Sequence, residues 1–565
     1  MRVVIIGGVA GGASAAARLR RLDENAQITL LERGTYISYA NCGLPYYVGG
    51  EITQRSALTL QTPQSFKARF NVDVRTEHEA TAIDPAAHTV RVRDLKAQND
   101  YTLPYDKLIY APGAAPVTPG GLPADDPRVF TLRTIPDTLA IRQAAEAAQG
   151  GHAVIVGAGP IGVEMAENLM RAGLKVTLVE MAPQILTPLD PDMAGQVAAY
   201  LRAKGVQVLT GNALTGVDAQ PDALHLTLAQ GRLEAQLLLL AIGVRPESGL
   251  AKEAGLALNA RGAVVVDAHM RTSDADIYAV GDVVEVEMAL TGEKGYLPLA
   301  GPANKQGRIA ADNICGIPSR YRGSQGSSIL KCFDMTVAAT GLNTAAARRA
   351  GFDPEQAIIT AASHAGYYPG AGNMFLKAIF DKATGRVLGA QLFGDAGVDK
   401  RADVLATAIG AKMTAADLTE LELCYAPPYG SAKDPVNMIG YVMENLLTGK
   451  VAQFREDQVA DLPRDGSAQL IDVRTPAEYA KGHVEGFVNL PVDDLRDRMG
   501  ELDPSKPVYL ICQSALRSYI ACRMLTQRGF TCAHLSGGYR LYAPLHGDAP
   551  DPAPVHPCGL PIGAP

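Results

Sequence analysis

The fold of the first half of the chain is decided by Val3-Val4-Ile5-Ile6-Gly7-Gly8-Val9-Ala10-Gly11-Gly12. The four apolar residues predict a buried strand, and the glycines after them predict a tight turn into a helix over 13–22. A second predicted strand, Ile28-Thr29-Leu30-Leu31-Glu32, ends on a carboxylate. This order is typical of a dinucleotide-binding unit, in which Glu32 accepts hydrogen bonds from ribose and the turn approaches a pyrophosphate through Gly7, Gly8, Gly11 and Gly12. Val9 stands where such a turn usually has its second glycine.

The same order recurs further along the chain, at Ala153-Val154-Ile155-Val156-Gly157-Ala158-Gly159-Pro160-Ile161-Gly162. A helix to Ala172 and a strand from Val176 to Glu180 complete this second unit. Glu180 is followed by Met181-Ala182-Pro183 rather than by arginines, and a carboxylate there repels the 2′-phosphate of NADP. The sequence therefore predicts two dinucleotide sites, the second built on Gly157, Gly159 and Gly162 and favouring NADH, with NADPH left open.

Composition bounds the class of protein. A chain of 565 residues predicts three to five compact domains, and a formal net charge of −7 argues against general affinity for nucleic acid or anionic lipid. No apolar run is long enough to span a bilayer. We therefore expect a cytoplasmic chain with no membrane partner and no metal, whose eight cysteines are mostly reduced thiols.

Two further segments point to a family. Tyr105-Asp106-Lys107-Leu108-Ile109-Tyr110-Ala111-Pro112-Gly113 and Ile277-Tyr278-Ala279-Val280-Gly281-Asp282 resemble the flavin-contact segments of the pyridine-nucleotide disulfide oxidoreductases. The resemblance implies an α/β fold with two Rossmann-like domains, as in glutathione reductase, with FAD contacted by Gly113, Gly281 and Asp282. It also implies the following division: FAD-binding at 1–115 and 246–324, NAD(P)H-binding at 116–245, and an α+β dimerisation domain at 325–447.

Cys42 lies alone in Ser38-Tyr39-Ala40-Asn41-Cys42-Gly43-Leu44-Pro45, and Tyr47 stands where this kind of enzyme usually has a second redox cysteine. Without a local partner, Cys42 is expected to form a mixed disulfide with its substrate. We expect the flavin edge and the helix that follows to lower the pKa of Cys42. The alternative is that Cys42 is a small buried hydrophobe, but the surrounding polar residues, Gly and Pro are poor core material.

The C-terminal part, after a predicted linker at 448–465, has a different pattern. Asp472-Val473-Arg474, Gly482-His483 and the loop Cys512-Gln513-Ser514-Ala515-Leu516-Arg517-Ser518 resemble the rhodanese sulfurtransferases over 466–545. The loop N–H groups and Arg517 would stabilise a thiolate or persulfide on Cys512. Ala515 stands where the family often has glycine, which leaves the loop width and the sulfur donor open, and an inactive docking domain is the alternative. A flexible tail is expected at 546–565.

Three motifs narrow the resemblance to the coenzyme A disulfide reductases fused to a rhodanese domain, over nearly the whole chain. They are Ser38 to Tyr47, His364-Ala365-Gly366-Tyr367-Tyr368-Pro369-Gly370, and Tyr425-Ala426-Pro427-Pro428-Tyr429 with Lys433. In that family a tyrosine pair from the partner subunit of a homodimer reaches the substrate sulfur, which maps to Tyr425 and to Tyr367 or Tyr368, of which we favour Tyr367. Glu164 maps near the nicotinamide ring. The coenzyme A contacts map onto Arg18, Arg21, Ser38, Asn41, Asn304 and Lys433.

The resemblance implies an enzyme that uses NADH to reduce coenzyme A disulfide, coenzyme A persulfide or polysulfide through Cys42, with Cys512 handling sulfane sulfur. One alternative is an NADH oxidase or peroxidase that cycles Cys42 through sulfenic acid. Another is a redox sensor that binds FAD but turns over little. The rhodanese pattern argues against the first alternative, and the intact second nucleotide turn argues against the second.

Overall fold

The computed structural model describes residues 1–548. The chain divides into two compact units, one of residues 1–181 and 209–324 and the other of residues 182–208 together with 325 onward. Position 558, one of the eight cysteines, and most of the segment expected to be a flexible tail lie outside the described residues.

The first unit contains a five-stranded parallel sheet built around the opening stretch. Apolar runs such as Val3 to Ile6 are buried because helices cover this kind of sheet on both faces. Two of those helices, Ala10–Leu22 and Ala300–Ile314, pack against each other, and the first begins three residues earlier than predicted. In spatial order the strands are Ile277–Ala279, Lys107–Tyr110, Arg2–Ile6, Gln27–Glu32 and Asp73–Thr76.

A second parallel sheet of this unit repeats the arrangement. Its strands are Lys175–Val179, His152–Val156, Leu237–Leu240 and Val129–Phe130, in that order, with helices Pro160–Arg171 and Ile135–Ala147. The short strand Gln207–Leu209 lies at the boundary of the two units. Two antiparallel strands, Ala114–Pro116 and Val244–Pro246, flank this sheet in the sequence.

Smaller elements complete the first unit. Its two three-stranded antiparallel sheets are His78–Asp84, Thr89–Asp94 and Asn99–Pro104, and Leu214–Ala219, Leu224–Leu228 and Arg232–Ala235. The hairpin strands are Val286–Glu287 and Lys294–Gly295. The remaining helices, including two 3-10 turns, are Asn41–Gly43, Leu44–Val48, Arg55–Leu58, Pro63–Phe70 and Gly249–Glu253.

The second unit begins with a five-stranded antiparallel sheet, whose spatial order is Ser328–Cys332, Met335–Gly341, Val387–Gly394, Asn373–Asp381 and Pro354–Ala362. Its central strand Val387–Gly394 is buried along its whole length. The helices of this part are Pro191–Ala203, Thr344–Arg349, Val398–Gly410, Ala415–Glu420 and Pro435–Leu447.

The C-terminal part of the second unit is a parallel sheet with helices. The strands, in spatial order, are Ala452–Phe454, Cys532–Leu535, Val508–Ile511, Gln469–Asp472 and Val488–Asn489. Its helices and 3-10 turns are Glu456–Gln458, Pro476–Lys481, Leu495–Arg498, Met499–Glu501, Leu516–Thr526 and Gly538–Leu545. The segment predicted as a linker therefore supplies one strand of this sheet.

The predicted α/β fold class is confirmed. Within residues 1–548 the structure has no helix long and apolar enough to cross a membrane. The seven cysteines in this range are all free thiols, and the same residues contain no cluster of potential metal ligands.

Candidate active sites

The first glycine turn is shaped by backbone contacts that exclude larger side chains. A Cβ on Gly12 would lie 1.9 Å from the carbonyl oxygen of Gly7, which itself has a φ of 98°. Glu32 accepts hydrogen bonds from the N–H of Gly8 (3.0 Å) and of Gly34 (2.8 Å). Its carboxylate therefore stabilises the conformation of the turn. No side chain caps the helix that starts at Ala10, so its first N–H groups suit a phosphate. This cradle fits the pyrophosphate of FAD.

The second turn has the same geometry. A Cβ on Gly162 would lie 2.0 Å from the carbonyl oxygen of Gly157, whereas one on Gly159 would meet no protein atom within 4 Å. Glu180 accepts a hydrogen bond from the N–H of Ala158 at 2.8 Å. The following helix, Pro160–Arg171, also starts without a side-chain cap. These residues fit a second dinucleotide, with open space over Gly159 where its pyrophosphate would lie.

Cys42 lies in the 3-10 turn Asn41–Gly43 and is exposed. Tyr47, at the position of a second redox cysteine, is instead a core residue that packs with Leu44, Leu58 and Ile135. Burial by the surrounding protein raises the pKa of Cys42, and Glu164 and Asp282 raise it further, against a smaller effect of Arg133. The predicted lowering, which depends on the flavin edge, stays a prediction, because the protein groups alone shift the pKa upward, first by desolvation and then through two carboxylates from distant segments.

Two residues that the sequence patterns did not reveal, Tyr46 and Arg133, contact these carboxylates. The Tyr46 hydroxyl donates to Glu164 Oε1 at 3.0 Å, while burial raises the pKa of Glu164. Arg133 contacts Asp282 at 3.4 Å, and a Cβ on Gly113 would lie 2.7 Å from one of its terminal nitrogens. Tyr46 could have been found within the Cys42 string, but nothing in the sequence marks Arg133.

The predicted coenzyme A residues of the first unit differ in availability. Arg18 Nε is 2.7 Å from Asp312 in a half-buried ion pair, so its charge is already balanced, whereas Arg21 is exposed. Asn304 accepts a hydrogen bond from Ser14. Ser38 has a left-handed backbone with a φ of 43°. Within the described residues, the buried Oδ1 of Asn41, next to Cys42, has no hydrogen-bond partner, which suits a ligand donor there.

The second unit carries the predicted tyrosines. Tyr367 and Tyr425 are both exposed, and their hydroxyl oxygens are 3.0 Å apart in a hydrogen bond. Tyr368 instead packs edge-on against His364, with ring centroids 5.7 Å apart. This arrangement favours Tyr367 over Tyr368 as the partner of Tyr425. Lys433 of this unit is exposed.

Cys512 follows the strand Val508–Ile511 and is fully buried. Its backbone carbonyl accepts a hydrogen bond from the N–H of Tyr539 (2.8 Å), and the carbonyl of Gln513 accepts one from the N–H of Arg540 (3.0 Å), so both loop carbonyls are paired. The Ser518 hydroxyl donates to Cys512 Sγ at 3.3 Å. Ser518, which the sequence patterns did not single out, therefore orients the thiol.

Arg517 was expected to supply positive charge to Cys512. The structure adds a second partner, because both terminal nitrogens of Arg517 are 2.7 Å from the carboxylate of Glu478, while Arg517 also interacts electrostatically with Cys512. Burial alone would raise the pKa of Glu478, but the Arg517 pair outweighs it and lowers that pKa. Glu478 also caps its own helix through Thr475. Arg517 thus pairs with Glu478 and remains close enough to Cys512 for its charge to act on the thiol, so its predicted role stays a prediction.

Ala515 adopts a left-handed conformation, with a φ of 69°, directly before the helix Leu516–Thr526. A Cβ is strained there by roughly 1 kcal/mol relative to glycine. We expect Ala515→Gly to raise the midpoint of thermal unfolding of this domain by a few degrees. Ala521→Gly, inside the same helix, should lower it. A lower midpoint for Ala515→Gly would contradict the strain.

Comparison with protein families matches three stretches of the chain. Residues 1–307 match the family described as pyridine nucleotide-disulphide oxidoreductase, and residues 327–435 match its dimerisation domain. Residues 456–543 match the rhodanese-like domain.

Individual proteins resemble the chain closely. A coenzyme A disulfide reductase of Staphylococcus haemolyticus is 34% identical over 79% of this chain and 100% of its own length. The crystal structure of reduced CoADR-RHD from Bacillus anthracis is 44% identical, with a TM-score of 0.93 over 97% of this chain and 98% of that one. The structure of an NAD-dependent persulfide reductase from A. fulgidus is 38% identical, with a TM-score of 0.91 over 96% and 100%.

Proposed function

The chain belongs to the pyridine nucleotide-disulphide oxidoreductase family, and from this premise we propose that it uses FAD and NADH to reduce coenzyme A disulfide, coenzyme A persulfide or polysulfide through Cys42. The observation that carries the proposal is the exposed Cys42 with the core residue Tyr47 in place of a second cysteine. A thiol in this setting exchanges with a sulfur atom brought by the substrate.

Both nucleotides are held by the glycine turns described above. The turn from Gly7 to Gly12 would hold FAD and the turn from Gly157 to Gly162 would hold NADH, with Glu32 and Glu180 available to the ribose hydroxyls. When bound, FAD accepts a hydride from NADH and supplies an electron pair to sulfur. Asp282 and Arg133, which contact each other, line the first of these sites.

The Cys42 thiolate attacks one sulfur of the substrate disulfide or persulfide. The substrate S–S bond breaks, the first thiolate or sulfide leaves, and a mixed disulfide forms at Cys42. Two electrons then break that bond and release the second thiol. Desolvation, Glu164 and Asp282 raise the pKa of Cys42, so the protein groups alone do not favour its thiolate, and the bound flavin would have to favour it.

Protons for the leaving thiolates come from the Tyr367 and Tyr425 hydroxyls, which share one hydrogen bond. Both phenols are exposed, and we infer that they act in a homodimer formed through the dimerisation domain. Burial raises the pKa of Glu164, and the Tyr46 hydroxyl holds its carboxyl group, which would lie near the nicotinamide of bound NADH.

Coenzyme A carries several phosphate charges, which require local cations. Arg21 and Lys433 are exposed cations that can serve, Asn304 is an exposed neutral amide that can hydrogen-bond, and Ser38 and Asn41 supply polar atoms in the Cys42 segment. Arg18 contributes less charge because Asp312 neutralises it. Cys512 carries sulfane sulfur as a persulfide, which the loop N–H groups stabilise. This sulfur is then reduced through Cys42.

The test is a stoichiometry measured without oxygen. With a thiol persulfide as substrate, one NADH should yield one sulfide and one thiol, and with coenzyme A disulfide one NADH should yield two thiols. Cys512→Ser should slow turnover with polysulfide while leaving coenzyme A disulfide reduction unchanged.

Two outcomes would contradict these expectations. Consumption of oxygen or peroxide at a catalytic rate without added sulfur would instead favour the oxidase or peroxidase alternative. If Cys512→Ser changed turnover with none of the persulfide or polysulfide donors, the coupling between Cys512 and Cys42 would be wrong.

A further inference from the structure

Three thiols, Cys512, Cys522 and Cys532, lie at one face of the C-terminal sheet. The proposed reaction uses only Cys512. The parallel register places Val508 opposite Cys532 and Leu510 opposite His534. Residues paired in register project to the same face, and side chains alternate along a strand. Val508, Leu510 and Cys512 therefore lie on one face of the sheet. Cys532 and His534 lie on the same face.

The helix Leu516–Thr526 packs against this face. It carries Ser518 and Cys522 one turn apart on the same side, about 6 Å from each other. Ser518 touches the sulfur of Cys512 at 3.3 Å, and Cys522 is 1% exposed. Cys512 and Cys522 belong to one buried cluster, with Cys532 packed against it. Cys522 thus lies about one helical turn from the group that contacts Cys512.

His534 adds a polar group to the same face. It is 4% exposed, and its Nδ1 has no hydrogen-bond partner within residues 1–548. Burial lowers the pKa of His534 to about 4, so the ring is neutral near pH 7. A neutral imidazole nitrogen of this kind can accept a hydrogen bond from a thiol. The buried face therefore combines several thiols with an acceptor, which an ordinary apolar core does not.

We propose that Cys522 is a resolving thiol for Cys512, which lets this domain release a sulfane sulfur as sulfide and rest as a Cys512–Cys522 disulfide. The inference rests on the proposed function, because Cys512 must first carry a persulfide received from a polysulfide or thiol persulfide.

The step balances without any other reactant. Sγ of Cys522 attacks Sγ of Cys512, the bond from Cys512 to its outer sulfur breaks, and a bond between the two cysteines forms. The outer sulfur leaves with the electron pair and the thiol proton as hydrogen sulfide. Cys522 Sγ is oxidised by one electron from the thiol to the disulfide level, the outer sulfur is reduced by one electron to sulfide, and Cys512 Sγ keeps its oxidation state.

The environment sets the order of these events. Burial raises the pKa of Cys522, and the neighbouring Cys532 and Cys512 raise it further. A neutral thiol is a poor nucleophile, so Cys522 does not compete with Cys512 for the incoming donor. It reacts only with a persulfide that persists on Cys512. The disulfide then removes Cys512 from turnover, and from over-oxidation, until an external thiol reduces it.

The experiment uses the full-length Cys42→Ser protein without oxygen or NADH, so that no sulfide can arise at Cys42. The protein is loaded with sodium tetrasulfide, freed of excess donor, and followed by mass spectrometry of alkylated chains and peptides. We expect a gain of about 32 Da on Cys512. That species should convert to a Cys512–Cys522 disulfide with release of one sulfide per chain.

Two matched variants in the same background complete the test. Cys522→Ser, with Cys522→Ala as a second form in case serine disturbs the core, should keep the Cys512 persulfide and release no sulfide. Cys532→Ser should behave like the parent. Three outcomes would overturn this inference but not the proposed function. They are a persulfide that persists in the parent, a disulfide between Cys512 and a cysteine other than Cys522, and unchanged release of sulfide in both Cys522 variants. Failure of Cys512 to take up any sulfur would overturn it together with the proposed role of Cys512.

Discussion

Replacing Cys42 with serine is expected to abolish NADH-dependent reduction of coenzyme A disulfide and persulfide, by at least about 10³-fold, or ~4 kcal/mol in activation free energy. A serine hydroxyl neither attacks sulfur at neutral pH nor forms a mixed disulfide. The protein should still fold and bind FAD, because Cys42 lies exposed in a 3-10 turn outside the parallel sheets. The measurement is steady-state NADH oxidation and thiol release under anaerobic conditions.

The matched control is Cys315→Ser. Cys315 is a partly exposed thiol of the same unit that follows the helix Ala300–Ile314, and its loss should leave turnover unchanged. Retention of more than a tenth of wild-type turnover by Cys42→Ser, in protein with a full complement of flavin, would refute the role of Cys42.

The second large effect concerns the nicotinamide site. Gly162→Ala should lower kcat/KM for NADH by about 100-fold or more, because the new Cβ would lie 2.0 Å from the Gly157 carbonyl and must push the helix Pro160–Arg171 away from the turn. FAD should remain bound, since the first turn is a separate structure. The measurement pairs NADH kinetics with the visible absorption of the bound flavin.

Gly249→Ala serves as the control, because a Cβ at Gly249 meets no atom within 4 Å and its φ is not left-handed. To separate a lost nucleotide site from a damaged protein, dithionite can replace NADH as the electron source, and Gly162→Ala should then still release thiol from coenzyme A disulfide. Normal NADH kinetics in Gly162→Ala would show that this turn does not hold the nucleotide.

Much of this architecture could be predicted because its signals are local. Each glycine turn needs a strand, a few glycines and a carboxylate within about thirty residues. A Cβ at Gly12 or Gly162 would clash with a backbone carbonyl, so glycine is required there and the pattern can be recognised in the sequence. The position of Tyr47 likewise marked Cys42 as a cysteine without a nearby partner.

The charges around the reactive groups could not be predicted in this way. Glu164 and Asp282, which raise the pKa of Cys42, come from segments far apart in the chain. Glu478 pairs with Arg517 from a position 39 residues away. Such pairs depend on how strands and helices are arranged in space. The separation of two residues in the sequence does not show that they form a pair.

The central claim is that Cys42 becomes covalently bonded to its substrate, and mass spectrometry of a single turnover tests it most directly. The oxidised full-length protein is mixed with coenzyme A disulfide without oxygen, quenched with an alkylating reagent and digested. The account predicts a coenzyme A adduct on the peptide that contains Cys42, which disappears when one equivalent of NADH is added before the quench. A Cys42 peptide that remains free of coenzyme A, while NADH is oxidised and thiol is released at the normal rate, would contradict it.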